Sequence, residues 1–120
     1  MGTSALILVK DEEETLVSIY VQCDGYVEGV GHKLAKHIGH HTIINGIGGE
    51  DSSDAANGMG CLAAQIVAGL KDGIGHIYLQ HLDHANYTYT ITENEEHRLN
   101  VAILEGDEEI YNGLLSELRG

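Results

Sequence analysis

The sequence predicts an α+β fold: a mostly antiparallel sheet packed around one central buried helix, about 61–72, with a second amphipathic helix at about 30–39. Three observations predict it. Two strand–turn–strand patterns, each with an acidic tip, lie towards the two ends of the chain. The stretch Cys61–Leu70 carries a strongly polar side chain only at Gln65, and a helix without a polar face belongs in an interior. Val30, Leu34 and Ile38 recur at helical spacing, with Lys33, Lys36 and His37 turned away from them. At 120 residues the chain reads as a single domain, 1–120, able to bury roughly two-thirds of its unfolded surface.

In chain order, "SALILVK" and "TLVSIYVQ" flank the block "DEEE" and read as a β-hairpin with an acidic tip. "CDGYVEGVG" is a glycine-rich turn leading into the amphipathic helix, which Gly39 stops. "TIIN" is a short strand, and residues 46–57 read as a Gly, Ser and Asp loop. Asn57 caps the central helix, and "KDG" ends it. "HIYLQHL" then starts a returning strand. "NYTYTIT" and "HRLNVAIL" form a second hairpin, with Tyr87, Tyr89 and Ile91 on one face and Thr88, Thr90 and Thr92 on the other. "NGLLSEL" reads as a last helical turn.

The net charge is −13, and most of the 19 acids fall in four blocks between apolar segments: "DEEE", "EDSSD", "ENEE" and "EGDEE". Such blocks make a solvated acidic surface. Nucleic-acid binding is disfavoured, because neutralising phosphates takes clustered Lys and Arg and there are six in all. No apolar run reaches the roughly 20 residues of a membrane span, so no membrane partner is expected. The start lacks a positively charged segment ahead of its apolar run, and the two cysteines suit a reducing compartment. A cytoplasmic location follows as the expectation.

The turn "NGMGCLA" admits three readings. Gly58 to Ala63 satisfies the dinucleotide-binding pattern G-x-G-x-x-A, and Asp83 follows at the spacing of a ribose-binding acid. That motif needs a parallel strand directly before it, where the sequence shows an acidic loop, so no cofactor is expected. Alternatively, Cys61 heads a helix whose dipole favours a thiolate. Five residues of returning strand would bring His81 or His84 level with it as base, with Asp83 or Asn86 as orienter. This is the alternative of a Cys61-dependent hydrolase or transferase. Thirdly, Gly58 and Gly60 simply turn the chain into a packed helix, and this structural reading carries the most weight. The eight histidines include His37 and His41, and His81 and His84, at short spacings. No Cys pair or HExxH pattern accompanies them, so no metal site is assigned. In the other turn, Asp24, Gly25, Tyr26, Gly29 and Gly31 can present a carboxylate or backbone amides at a pocket mouth.

Three blocks in order, "MGTSALI", "DGYVEGVG" and "NGMGCLAAQIV", resemble a family of small proteins from bacteriophages, bacteria and large DNA viruses. Its members typically begin Met-Gly-Thr-Arg and carry a Trp-Asp-Gly-Tyr-Pro turn. The likeness covers roughly residues 1 to 80; Ser4, Cys23 and Val27 stand where the family has Arg, Trp and Pro. Any binding done by that Arg or Trp is therefore lost here. The resemblance implies a viral or phage-type accessory protein, in the host cytosol, and no mechanism. The leading expectation is a non-enzymatic binding module for a host or viral protein or a small molecule. Its ligand would sit at the turns Asp24, Gly25, Tyr26, Gly29, Gly31 and Asn57, Gly58, Gly60. It would form a homodimer through a sheet edge or the Tyr face. A structural part of a virion or viral factory is the third expectation.

Overall fold

A computed structural model describes residues 3–44, 55–81 and 83–118. Among these the chain forms eight strands and two α-helices, and the class is α+β as expected. The first hairpin is β1 (Ala5–Asp11) and β2 (Glu14–Val21), closed by Glu12 and Glu13. A π-helical turn, Val27–Gly31, runs into α1 (His32–Ile38). Two short strands, β3 (Thr42–Ile44) and β4 (Ala55–Asn57), pair in parallel. Next come α2 (Gly58–Leu70) and the two-residue strand β5 (Ile77–Tyr78). A meander of β6 (Tyr87–Glu93), β7 (Leu99–Glu105) and β8 (Glu108–Leu114) follows, ending in a 3₁₀ turn at Leu115–Glu117.

Six strands make one sheet in the order β5-β2-β1-β6-β7-β8. Neighbours are antiparallel except β1 and β6, which run parallel at its centre. Alternation along each strand divides the side chains between two faces. The inner face pairs Ile19, Ile7, Tyr89 and Ile103 in one row across four strands, all fully buried. Both helices pack on this side: α2 contacts β1 and β2, while α1 lies against α2, the π-helical turn and the 3₁₀ turn. Leu34, Ile38, Leu62 and Ile66 close the core from above. The Tyr face expected as a dimer surface is thus interior, with Tyr89 wholly buried. The Thr face is the outer one.

Two further expectations are corrected. The central helix is not buried on every side: Met59, Leu62, Ala63, Ile66 and Leu70 face the core, but Gly60, Ala64, Ala68 and Gly69 are exposed. Small side chains made the whole stretch read as interior, although alanine and glycine withdraw too little apolar area to require burial. β8 is a strand that the sequence reading lacked between the acidic block and the last helical turn. The block "EGDEE" does hold a turn, between β7 and β8 with Gly106 at φ +64°, and the helical turn read in "NGLLSEL" is the 3₁₀ turn Leu115–Glu117. "ENEE" also sits at a turn, where Asn94 Oδ1 accepts hydrogen bonds from the Glu96 and Arg98 amides at 2.8 and 3.0 Å. The block "EDSSD" and most of the expected 46–57 loop lie outside the described residues; Ala55–Asn57 is strand.

Candidate functional site

The turn "DGYVEGVG" folds as a buckle between the first strand and the first helix. Asp24 takes a left-handed conformation at φ +62°. Gly25 then lies flat against the start of β1: its amide donates to Thr3 O at 2.8 Å, and a Cβ there would stand 2.7 Å from both the Ser4 carbonyl carbon and Ala5 Cβ. The Gly25 carbonyl accepts a 2.7 Å bond from the buried Tyr89 hydroxyl. Gly29 closes on Asp24 so tightly that a Cβ would overlap the Asp24 carbonyl oxygen, the acceptor for the Val30 amide. His32 N–H reaches back five residues to Val27 O, which opens the helix start into a π-turn. Gly31 is buried beside Val27, Leu118 and Tyr89. Of the residues singled out in this turn, Asp24 and Tyr26 face solvent, and Tyr26 Oη donates to Asp24 Oδ1 at 3.4 Å.

Burial holds the Tyr89 phenol well above its ordinary pKa, with smaller contributions from Tyr87 and Glu28. A polar depression of about 460 Å³ opens nearby, lined by Thr3, Asn86, Tyr87 and Glu105. Its floor is committed to structure: Asn86 Oδ1 accepts from the Ser4 amide and hydroxyl at 3.0 and 3.2 Å, tying β6 to the start of β1.

At the second turn, Gly58 sits at φ +83° and begins α2 directly after β4. Asn57 occupies the cap position, but its side chain makes no capping bond. A parallel strand therefore does precede the G-x-G-x-x-A pattern, where the sequence suggested only a loop. Among the described residues the arrangement is not that of a dinucleotide unit: β4 belongs to a two-stranded sheet, and the strand after α2 joins the other sheet antiparallel to β2. Asp83 is exposed and lies 3.3 Å from His81 Nε2.

The dyad geometry rested on a five-residue return strand, and β5 has two. His81 and His84 follow it in an exposed connection, and among the described residues no hydrogen bond joins either to Cys61. Cys61 packs half-buried against the core. Asn86, an expected orienter, is held by Ser4 instead. The thiol beside an imidazole is Cys23, whose Sγ lies 4.0 Å from His76 Nδ1. His76 takes φ +74°, and its carbonyl accepts from the Gln22 amide at 2.9 Å, which sets the ring against the end of β2. Sequence spacing held no sign of this pair, since it depends on β5 docking beside β2. His37 Nε2 lies 3.1 Å from Gln65 O with its ring over Gly69, joining the two helices. Among the described residues no three His, Cys, Asp or Glu side chains gather closely enough to hold a metal ion, and no helix is long and apolar enough to cross a membrane.

An apolar opening on the helix side of the sheet lies beside α2. Val17, Ala63, Ala64, Val67, Ala68 and Leu79 line a groove of about 400 Å³ with almost no polar surface. Leu79 is 65% exposed, and Ile74 nearby in sequence is fully so. Ala64 and Ala68 stand four residues apart on its helical wall, and Gly60 continues the same exposed helix face one turn earlier. The sequence signal was there in part: the same all-apolar run that suggested burial leaves this wall apolar when one side faces water. Comparison with protein-family models, curated proteins and solved structures gives no match.

Proposed function

We propose that the protein is a non-enzymatic binding module, and that its contact surface is the groove between α2, β2 and Leu79. Its ligand is an amphipathic helix of a partner protein with a basic polar face. The observation that carries this reading is the groove itself: an apolar channel left open beside a helix whose outer residues are small. Small residues every fourth position let a second helix approach closely, and Val17 and Leu79 supply walls for its larger side chains. The charge of −13, with exposed Asp72 following Lys71, the C-cap of α2, and exposed Asp83 beyond Leu79, favours a basic partner. The likeness of the three sequence blocks to phage and viral proteins supports an accessory role for such a module.

The test uses a fluorescein-labelled Leu/Lys peptide of roughly 18 residues, designed as an amphipathic helix. It should bind saturably, more weakly at high salt, and Leu79→Glu or Ala68→Glu should weaken it at least about tenfold. A Leu/Glu peptide with the same apolar face should not bind. Equal binding of both peptides, or of wild type and Leu79→Glu, would remove the groove from the account.

A second reading, a thiol-dependent activity, moves from Cys61 to Cys23, because Cys23 is the cysteine with an imidazole in reach. Iodoacetamide should alkylate Cys23 several-fold faster at pH 7 in the Cys61→Ala protein than after a further His76→Ala substitution. Unchanged rates would leave Cys23 an ordinary thiol.

A further inference from the structure

We propose that the depression between α1 and the end of α2 binds a small-molecule phosphate monoester. This goes beyond the groove, with which the depression shares no residue. It measures about 340 Å³ and is lined by Lys33, Lys36, His37, Gly69 and Leu70. Its two walls are fixed to each other. The His37 ring lies across α2 in the space that a Cβ on Gly69 would fill. His37 Nε2 donates to the Gln65 carbonyl, 3.1 Å away, which holds the lysine-bearing face of α1 beside α2. Leu34 and Ile38 are fully buried and fix the rotation of α1 about its axis.

Charge selects the ligand. The chain carries 19 acids, yet none falls at positions 29–49 or 55–71, so neither helix holds a carboxylate. Two of the six Lys and Arg meet in this one depression, and no acid lines it. Among the described residues no ion pair or hydrogen bond engages either ammonium group. The last turns of α1 and α2 oppose them with about half a negative charge each, which two full charges outweigh. The carboxylates of the sheet act through solvent, where their field fades within about 8 Å at physiological salt. An ammonium group donates and cannot accept, so the ligand must bring acceptor oxygens and negative charge. A phosphate monoester brings three such oxygens and a charge of about −1.5 to −2, which matches two lysines; a carboxylate brings about half of that. Gly69 and Leu70, the uncharged part of the lining, suit the carbon portion of the ester.

Phenyl phosphate, titrated into the full chain at fixed ionic strength and followed by amide chemical shifts, tests this. Saturating shifts are expected at Lys33, Lys36, His37 and Gly69, with Val17 and Leu79 in the groove unmoved. Inorganic phosphate should bind at least about threefold more weakly, since it leaves Leu70 uncovered. Benzoate, with a single charge, should also bind several-fold more weakly. Lys33→Gln and Lys36→Gln should each weaken phenyl phosphate about two- to fivefold, and the double substitution about tenfold. Both lysines are exposed, so the variants keep the fold, which circular dichroism checks. Lys10→Gln, on the sheet, should leave the affinity unchanged. The absence of saturating shifts would overturn the proposal, as would a double variant that binds like the unaltered chain. An equal loss in Lys10→Gln would overturn it too, by showing diffuse attraction in place of a site. Benzoate or inorganic phosphate binding as tightly as phenyl phosphate would overturn the assignment to a phosphate ester.

Discussion

Gly25→Ala and Gly29→Ala should each destabilise the protein by about 3 kcal/mol or more, at or above the upper end of the usual cost of overpacking. Neither loss is a matter of flexibility alone. A methyl group on Gly25 meets the backbone of Ser4 and the side chain of Ala5 at 2.7 Å, where β1 is fixed in the sheet on both sides. A methyl group on Gly29 overlaps the Asp24 carbonyl, and moving that carbonyl breaks its bond to the Val30 amide. Neither obstacle is the end of a flexible side chain that could turn away. Urea denaturation followed by circular dichroism measures the effect as a lower midpoint with an unchanged slope. A shift under about 1 kcal/mol for both would mean that the buckle is looser than its contacts indicate.

Tyr89→Phe removes the other half of the buckle. It leaves the Gly25 carbonyl without its 2.7 Å donor in a buried position, at an expected cost of about 1–3 kcal/mol. It also changes the alkaline limb of stability. In the unfolded chain the phenol ionises near its ordinary pKa of about 10, while burial raises it in the folded state. Above pH 10 the folded protein therefore keeps a proton that the unfolded chain releases. The contribution is whole below pH 10 and falls as pH rises towards the folded pKa. Tyr87 and Tyr111 are raised in the same direction, so Tyr89→Phe should flatten this limb without abolishing it. Denaturation between pH 8 and 11 measures it, and an unchanged limb would contradict the burial of the phenol.

The strands with clear alternation were legible in the sequence, because each buried one face against a single core. Tyr87, Tyr89 and Ile91 against Thr88, Thr90 and Thr92 gave β6, and its inner row is the Tyr row. Val30, Leu34 and Ile38 gave α1 for the same reason at helical period. β8 was not legible, since an edge strand with Tyr111 and Gly113 inward and two glutamates at its start has no apolar alternation to read. β4 is Ala-Ala-Asn, without a β-branched or aromatic residue, and exists because β3 lies beside it.

The glycine turns drew notice as binding sites, but a glycine is equally required where two backbones touch, and Gly25 and Gly29 serve that need. The groove was hidden for a different reason. Val17 and Leu79 stand 62 positions apart in the chain: Val17 meets α2 through the packing of β2 on the helix, and Leu79 joins it through the docking of β5 on β2. Cys23 and His76 come together by the same pairing. One short strand thus contributes to both features that the sequence could not show.

Binding through that groove is the central claim, and the Leu/Lys peptide titration followed by amide chemical shifts tests it most directly. The account predicts saturating shifts at Val17, Ala64, Ala68 and Leu79, with the amides of Asp24–Gly31 and Asn57–Gly58 unmoved. Shifts concentrated in those two turns, with the groove silent, would contradict it and return the site to the glycines.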